Sequence, residues 1–249
     1  MSFLNNKICL LCFVLLLISC KQAERDSQHG QQISSPKPLP NPSPFVGGGK
    51  GSDINNYKTV VIGTQTWMAE NLDYAVEGSR CYGNKSANCD KYGRLYDWPT
   101  AMGLPSKCNS STCSNQIQSP HRGICPEGWH LPSQAEWNAL PSHVQASSSC
   151  SDCGAAKLKA ASGWSSCGPS GSGNSYLCED AYGFSALPGG SGYSDGSFDF
   201  AGNYGGWWSA SEDNSYHAHY RDMYYYRESV FFSSNLKSGL FSVRCLHDK

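Results

Sequence analysis

Cysteine is the residue type that could do the most chemistry in this chain. The sequence contains 13 cysteines, a number that a reduced cytosolic protein rarely carries without metal-binding spacing. The first three are Cys9, Cys12 and Cys20. The other ten are Cys81, Cys89, Cys108, Cys113, Cys125, Cys150, Cys153, Cys167, Cys178 and Cys245. Because ten is an even number, all of these can pair, and we expect disulfide bonds formed in an oxidising compartment.

Proximity along the chain suggests how the ten cysteines pair, although the sequence alone leaves the connectivity open. Proximity suggests Cys81–Cys89, Cys108–Cys113, Cys150–Cys153 and Cys167–Cys178, which leaves Cys125–Cys245. The last pair would close the longest loop, so loop-closure entropy assigns it the largest stabilisation, roughly 4–5 kcal/mol. Cys150-Ser-Asp-Cys153 also has the CxxC spacing of a redox or zinc site. Since the sequence after the N-terminal apolar run has no second CxxC and no following His pair, a plain disulfide is favoured there.

Aromatic and oxygen-bearing side chains come closest together after position 206. Two indoles are followed by three side chains that carry oxygen, and a Tyr-rich run begins ten residues later. Aromatic faces can cover the C–H surface of a sugar, and carboxylates or amides can bind its hydroxyls. The sequence therefore predicts a ligand site made of Trp207, Trp208, Glu212, Asp213, Asn214 and Tyr225. At least one of the two indoles should be in the core, because large aromatic side chains are usually mostly buried.

Other candidate sites are less complete. His217-x-His219 would put two imidazoles on one face of a strand, but no third metal ligand is evident. The run from Asp195 to Asp199 has fewer acidic oxygens than a full Ca²⁺ site needs, so a turn is favoured and a structural Ca²⁺ is only an alternative. The sequence shows no nucleophile elbow between a strand and a helix and no phosphate-binding loop. We therefore expect no catalytic residue, no bound metal and no enzyme activity.

The N-terminal segment resembles a bacterial lipoprotein signal. Lys7 precedes an apolar run, residues 8–18, which is too short to cross a hydrocarbon core of about 30 Å. Leu17-Ile-Ser-Cys20 is similar to a lipobox, which implies removal of residues 1–19 and lipid attachment to Cys20. Because acyl chains contribute about 0.8 kcal/mol per buried CH₂, we expect the membrane as a partner. The expected location is the bacterial cell envelope, on the periplasmic face or the cell surface.

Residues 20–56 read as the lipidated cysteine followed by a Pro/Gly-rich tether. Between residues 35 and 44 every second position is proline, which favours extended polyproline II at about 3.1 Å per residue. The remaining residues, 57–249, have the length of one domain. Aromatic residues make up 12% of the chain, which excludes disorder for most of it. The net charge of −1 leaves no basic excess, so we exclude a nucleic-acid partner.

The elements that must position these residues are short. Residues 57–62 and 65–68 predict a hairpin, Asp97 predicts the start of a helix through Met102, and Ser133 with Glu136 predicts a capping box. The helix after that box is expected to end near Leu140, and a further helix is expected over 154–161. The strand candidates are 92–96, 207–209, 216–225, 230–232 and 241–246. These patterns predict a loop-rich α+β domain with short antiparallel strands, two or three helices and several disulfides.

Six collinear motifs resemble the Fibrobacter succinogenes major paralogous domain. They are residues 57–72 (YKTVVIGTQTWMAENL), 92–96 (YGRLY), 125–133 (CPEGWHLPS), 183–190 (GFSALPGG), 207–212 (WWSASE) and 242–245 (SVRC). The resemblance covers about residues 57–247. It implies a secreted or lipoprotein chain, and the family has no firmly assigned biochemical activity. More distantly, residues 131–137 and the closing Gly-x-x-x-Val-Arg-Cys are similar to the formylglycine-generating sulfatase-modifying fold, a loop-rich relative of C-type lectin domains.

This resemblance implies a C-type-lectin-like fold and favours non-catalytic recognition of a carbohydrate or a surface protein. One alternative is a divergent enzyme of the sulfatase-modifying type, and another is a purely structural surface protein. The sulfatase-modifying enzymes use a pair of active-site cysteines in an Arg-rich segment of the C-terminal third. The corresponding region here, residues 216–232, contains no cysteine, which disfavours that alternative.

Overall fold

The structure, a computed structural model, describes residues 50–167 and 178–249 of the chain. The predicted signal peptide 1–19, the predicted lipid attachment at Cys20 and the tether as far as residue 49 lie outside the described residues. The elements below therefore belong to the C-terminal part of the chain.

Within residues 50–167 and 178–249, short strands form three antiparallel sheets. In chain order the strands are β1 (Thr59–Ile62), β2 (Gln65–Met68), β3 (Trp129–His130), β4 (Ser191–Gly192), β5 (Phe198–Asp199), β6 (Tyr204–Glu212), β7 (His217–Tyr224), β8 (Phe231–Leu236) and β9 (Leu246–His247). The first sheet has the order β1-β2-β9-β3, the second pairs β4 with β5, and the third has the order β6-β7-β8. Neighbouring strands are antiparallel in each sheet.

Four short α-helices accompany the sheets in the described ranges. They are α1 (Ser86–Tyr92), α2 (Trp98–Met102), α3 (Gln134–Ser148) and α4 (Gly154–Leu158). Asp97 accepts a hydrogen bond from the Thr100 N–H at 2.8 Å and so starts α2 where it was predicted. The predicted capping box of Ser133 and Glu136 is present at the start of α3. The predicted α+β class is confirmed. No helix among the described residues has both the length and the apolar composition to cross a bilayer.

The ends of two helices differ from the prediction. Helix α3 continues eight residues past Leu140 and ends at Ser148. Although Pro141 disfavours a helix at this point, the next turn is held in place because Val144 is fully buried in the core. Helix α4 ends before residue 161. Lys159 leaves the helix with extended backbone, and the Ala160 N–H donates instead to a carbonyl outside the helix.

Strand predictions were accurate in position and poor in length. The β1–β2 hairpin and strands β6, β7 and β8 lie where the patterns placed them, but β6 and β8 are longer than expected. The predicted strand 92–96 is wrong: α1 ends at its first residue, and Leu95 and Tyr96 make only isolated bridges. The predicted strand 241–246 is reduced to β9, which is preceded by isolated bridges at Phe241 and Ser242.

Tryptophans fill the two hydrophobic clusters of the core. The first cluster contains Trp98 and Trp208, and the second contains Trp67, Trp137 and Trp207. Within the second, the rings of Trp67 and Trp137 have centroids 4.7 Å apart. Burial of such large side chains accounts for the ability of short strands and helices to hold together.

Five disulfide bonds link the described cysteines. The pairs are Cys81–Cys89, Cys108–Cys113, Cys125–Cys245, Cys150–Cys153 and Cys167–Cys178. Four of them are the pairs that proximity along the chain suggested, and Cys125–Cys245 is the pair that remained. The Cys125–Cys245 bond spans 120 residues and ties the segment before β3 to the segment before β9. The CxxC cysteines are joined to each other, as expected for a plain disulfide.

Candidate functional site

The two indoles of the predicted ligand site, Trp207 and Trp208, are both 0% exposed. Because successive strand residues face opposite sides, β6 sends one indole into each core cluster. Trp207 Nε1 donates to Asn71 Oδ1 at 2.8 Å, and Trp208 Nε1 donates to the Tyr96 carbonyl at 2.8 Å. The structure therefore corrects the prediction for both residues, since neither ring presents a face to a ligand.

Glu212 is likewise part of a buried interaction rather than a solvated loop. It ends β6, and its side chain is only 6% exposed. The fully buried Lys237 donates from Nζ to Glu212 Oε1 at 2.6 Å, and the Cys113 N–H donates to the same oxygen at 2.8 Å. This ion pair links β6 to the Cys108–Cys113 loop and to the end of β8. Glu212 is therefore not the solvated loop residue that the sequence predicted, although it lines the larger cleft described below.

Asp213 and Asn214 form the turn between β6 and β7. Asn214 Oδ1 accepts hydrogen bonds from the backbone N–H groups of Tyr216 and His217 at 2.9 and 3.0 Å. Asp213 Oδ1 lies 3.8 Å from His219 Nε2. Such side-chain contacts to the following backbone are what stabilise an Asx-type turn. Neither turn residue lines either of the two pockets described below.

Tyr225, the remaining predicted ligand-binding residue, lines a separate open pocket of about 440 Å³. We call it the tyrosine pocket. Its lining residues are Ser191, Tyr193, Phe200, Asn203, Tyr204, Tyr220, Tyr224, Tyr225, Tyr226 and Asn235. Seven of these residues are aromatic and none is charged. Tyr225 therefore lies apart from Glu212, although both residues belong to the predicted ligand site.

The rings of the tyrosine pocket pack on one another at its base and are exposed at its rim. The ring centroids of Tyr204 and Tyr224 are 5.1 Å apart, and those of Tyr224 and Tyr226 are 5.5 Å apart. At the rim, Tyr193 is 43% exposed, Phe200 57% and Tyr226 39%. A packed base holds the rings in fixed positions, while the exposed rim leaves aromatic surface accessible to a ligand.

Backbone contacts position the loop segments that carry this rim. The Tyr225 N–H donates to the Asn203 carbonyl at 2.9 Å. Lys159 Nζ donates to the carbonyls of Tyr225 and Arg227 at 3.3 and 2.6 Å, and burial lowers the pKa of this lysine to about 8. Phe200 has a backbone φ of 69°, a left-handed conformation that is unusual for a bulky residue. Such strained residues cluster at ligand-binding and active sites.

A buried carboxylate lies behind the pocket. Asp222 is on the same face of β7 as Tyr220 and Tyr224, because alternate strand residues share a face, and it is 2% exposed. Tyr224 and Ser233 hydrogen-bond to its carboxylate, and its Oδ1 has no hydrogen-bond partner among the described residues. Burial raises the pKa of Asp222 to about 6, although these hydrogen bonds and the charge of Arg221 act in the opposite direction.

A second cleft, of about 810 Å³, lies beside β3 and the C-terminal residues. In it, His130 Nδ1 is 2.6 Å from Asp248 Oδ1, and His130 Nε2 is 3.0 Å from Glu136 Oε1. Burial acts to lower the pKa of His130, but the two carboxylates outweigh it and raise that pKa. Burial acts to raise the pKa of Glu136, but hydrogen bonds with His130 and Ser133 lower it to about 2. With both ring nitrogens engaged, the histidine fastens the C-terminus to α3 and is not available as a free base.

The remaining candidate residues form no metal centre in the part of the chain that the structure describes. No group of three or more His, Cys, Asp or Glu side chains there could hold a metal ion. The His219 ring packs on Phe232 with centroids 4.8 Å apart. Asp195 Oδ1 accepts a hydrogen bond from the Ser197 N–H at 2.9 Å. This contact is typical of the turn that the sequence favoured over a Ca²⁺ site at this position.

Sequence reasoning missed most of the tyrosine pocket. One signal was available: in Tyr220-Arg-Asp222-Met-Tyr224, a carboxylate and two tyrosines alternate and so share one face of a strand. Tyr193 and Phe200 carried no comparable signal, because they come from the β4–β5 hairpin and the loop after it, which only the tertiary fold brings to β7.

Comparison with known proteins identifies a family. Residues 60–247 match the Fibrobacter succinogenes major domain. A search of curated proteins and a search of solved structures each found no match. The matched segment includes the hairpin, the capping-box helix, the strands of the tyrosine pocket and the Cys125–Cys245 bond. Because this segment is well over half of the sequence, the chain belongs to the Fibrobacter succinogenes major domain family.

Proposed function

We propose that this chain is a lipid-anchored protein of the bacterial cell envelope whose domain recognises a carbohydrate without catalysing a reaction. Lipid on Cys20 and the Pro/Gly-rich tether would hold the domain away from the membrane surface. The finer fold assignment, a C-type-lectin-like or sulfatase-modifying-factor-like domain, is part of this proposal. It is supported by the short antiparallel strands, the long connections and the disulfides.

The tyrosine pocket is the observation that carries the proposal. Ligand sites are typically concave and aromatic, with a few polar groups that fix orientation. Here exposed aromatic rings can cover the C–H faces of a sugar, and the amides of Asn203 and Asn235 can bind its hydroxyls. The lining contains no His, Cys, Lys or carboxylate, the groups that most often act as catalytic acids, bases and nucleophiles.

The competing enzyme hypothesis has less support. A divergent sulfatase-modifying enzyme would need a pair of reactive thiols. The ten cysteines in the described part of the chain are all joined in disulfides. A binding function needs no thiol and uses the pocket as it stands.

The recognition proposal is tested by glycan-array binding of the purified full chain, followed by titration of the bound glycans against two variants. Tyr226→Ala removes an exposed rim ring and should weaken binding at least about tenfold. The matched control is Tyr216→Ala, which removes a tyrosine that is 56% exposed and lies outside the pocket. An equal loss of glycan affinity in both variants would overturn the proposal in favour of a protein partner or a structural role. The same conclusion would follow if the folded chain bound no glycan.

The anchoring proposal is tested separately by metabolic labelling with a tagged fatty acid. Cys20→Ala should abolish the label, because Cys20 is the residue that the lipobox-like sequence places at the attachment point. Cys12→Ala changes a cysteine within the apolar run and should keep the label. Equal labelling of the Cys20→Ala variant and the parent chain would overturn the lipid anchor.

A further inference from the structure

We infer that the carbohydrate bound in the tyrosine pocket carries a free amino group, which enters the pocket as an ammonium cation. This inference rests on the proposed function and names the ligand class for the same site. The faces of aromatic rings carry negative electrostatic potential and attract cations within about 6 Å of the centroid. Seven rings line the pocket, and no lysine, arginine or histidine is among its lining residues.

Asp222 supplies the charge that distinguishes a cationic sugar from a neutral one. It shares a face of β7 with Tyr220 and Tyr224, which line the pocket, and its buried Oδ1 has no hydrogen-bond partner within the described residues. A buried carboxylate is costly unless it is paired. An ammonium group in the pocket would further stabilise the ionised form of Asp222, whereas a neutral sugar would leave it only the charge of Arg221 and the hydrogen bonds from Tyr224 and Ser233.

Nearby cations of the protein are committed to other groups. Arg221 precedes Asp222, but its side chain extends to the opposite face of the sheet. There, Nη2 donates to the Gln134 carbonyl at 3.2 Å and to Asn138 Oδ1. Lys159 Nζ donates to backbone carbonyls of the loop that follows β7. These hydrogen bonds engage both cations with carbonyl or amide oxygens of the protein.

One rim ring already binds a cation within the protein. The guanidinium carbon of Arg227 lies 5.2 Å from the centroid of the Tyr226 ring, within the range of a cation–π contact. The pocket-facing rings offer the same kind of surface. An amino sugar would satisfy both features of the site, because its C–H faces pack on rings and its ammonium group compensates the buried carboxylate.

The inference is tested with three β-1,4-linked trisaccharides that differ only at carbon 2. Cellotriose carries a hydroxyl there, the N-acetylglucosamine trimer an acetamide and the glucosamine trimer an amine. Isothermal titration of the full chain just below neutral pH should give a dissociation constant for the glucosamine trimer at least about tenfold lower than for the other two. Asp222→Asn should abolish this preference. Asp195→Asn, which removes an exposed carboxylate, should retain it.

Each outcome of this titration decides the question. Equal or tighter binding of cellotriose or the N-acetylated trimer would overturn the inference and, if Tyr226→Ala weakened that binding, would leave carbohydrate recognition standing. Binding of none of the three also overturns the inference, and the glycan array then decides the proposed function independently. Because the three sugars are compared on the parent chain, the inference can fail even if Asp222→Asn does not fold.

Discussion

The side-chain oxygen of Asn71 accepts a hydrogen bond from the indole of Trp207 at 2.8 Å, although 136 residues separate the two in sequence. The same oxygen accepts from Nε and Nη2 of Arg244 at 3.2 and 3.0 Å. The Asn71 amide in turn donates to the Tyr92 carbonyl at 2.8 Å. Four of the six motifs that resemble the family therefore meet at one buried amide, which gives these motifs a structural role.

Asn71→Leu should destabilise the domain severely. The leucine has nearly the same size but accepts no hydrogen bond, so the Trp207 indole and part of the Arg244 guanidinium lose their shared acceptor. Loss of hydrogen bonds to buried groups, one of them charged, predicts a decrease of at least about 3 kcal/mol in the free energy of unfolding. Urea denaturation measures it. The control Asn115→Leu changes an exposed asparagine, and a similar decrease in that variant would contradict this account.

Local signals in the sequence predicted the elements and the nearby disulfides well. Asp97 and the Ser133–Glu136 pair each mark a helix start by a side chain that bonds to backbone a few residues away, which a sequence pattern can show. Helix α1 escaped prediction because it has no side-chain cap. The helix is capped by Gly93, where a Cβ atom would lie 2.8 Å from the Cβ of Asn71, a proximity that only the tertiary fold creates.

The candidate site was harder to predict because burial is a tertiary property. Trp207, Trp208 and Glu212 have the residue types of a sugar site, yet the first two fill the core and the third pairs with Lys237. Nothing in their spacing distinguishes these roles. The position of Tyr225 was informative because its neighbours in the Tyr-rich run reach the surface where β7 ends.

Glu212→Ala should reduce stability and leave any glycan bound by the folded chain with unchanged affinity. The change leaves the fully buried ammonium group of Lys237 without a carboxylate partner, because its remaining hydrogen-bond acceptors are neutral backbone carbonyls. Breaking a buried ion pair by removing one partner costs about 3–5 kcal/mol. Thermal and urea unfolding measure this loss. The exposed Glu127→Ala variant should stay within about 0.5 kcal/mol of the parent. A Glu212→Ala variant as stable as the parent would show that the pair contributes nothing.

Removal of the Cys125–Cys245 bond should cost more stability than removal of the Cys108–Cys113 bond. The two bonds span 120 and 5 residues, and loop-closure entropy predicts losses of about 5 and about 2 kcal/mol respectively. Each pair is replaced by two serines, and urea unfolding gives the difference. Equal losses would show that loop length does not set the contribution of these bonds.

The parent domain should also contain no free thiol. All ten cysteines from Cys81 onward are paired, so alkylation without reduction should add no mass to the mature protein. Alkylation after reduction should modify all ten. Two or more thiols that react without reduction would restore a redox or metal role for the CxxC pair.

Asp222→Asn should stabilise the domain at neutral pH even though it weakens binding of an amino sugar. Burial raises the pKa of Asp222 to about 6, above its ordinary value of about 3.9. Between these two values the folded state holds the proton that the unfolded state has released, so stability falls as the pH rises through this window. The asparagine has no charge to bury. The variant should therefore gain up to about 3 kcal/mol over the parent between about pH 4 and pH 7.

Urea unfolding of the parent and the variant across that pH range measures this gain, and Asp195→Asn is the control. Hydrogen bonds from Ser197 lower the pKa of Asp195, so its ionised form is favoured in the folded state. The Asp195→Asn variant should consequently show no gain over the parent as the pH rises. If the stability difference between Asp222→Asn and the parent were constant from about pH 4 to pH 7, Asp222 would not carry an unfavourable buried charge at neutral pH. The electrostatic basis for ammonium recognition in the tyrosine pocket would then be lost.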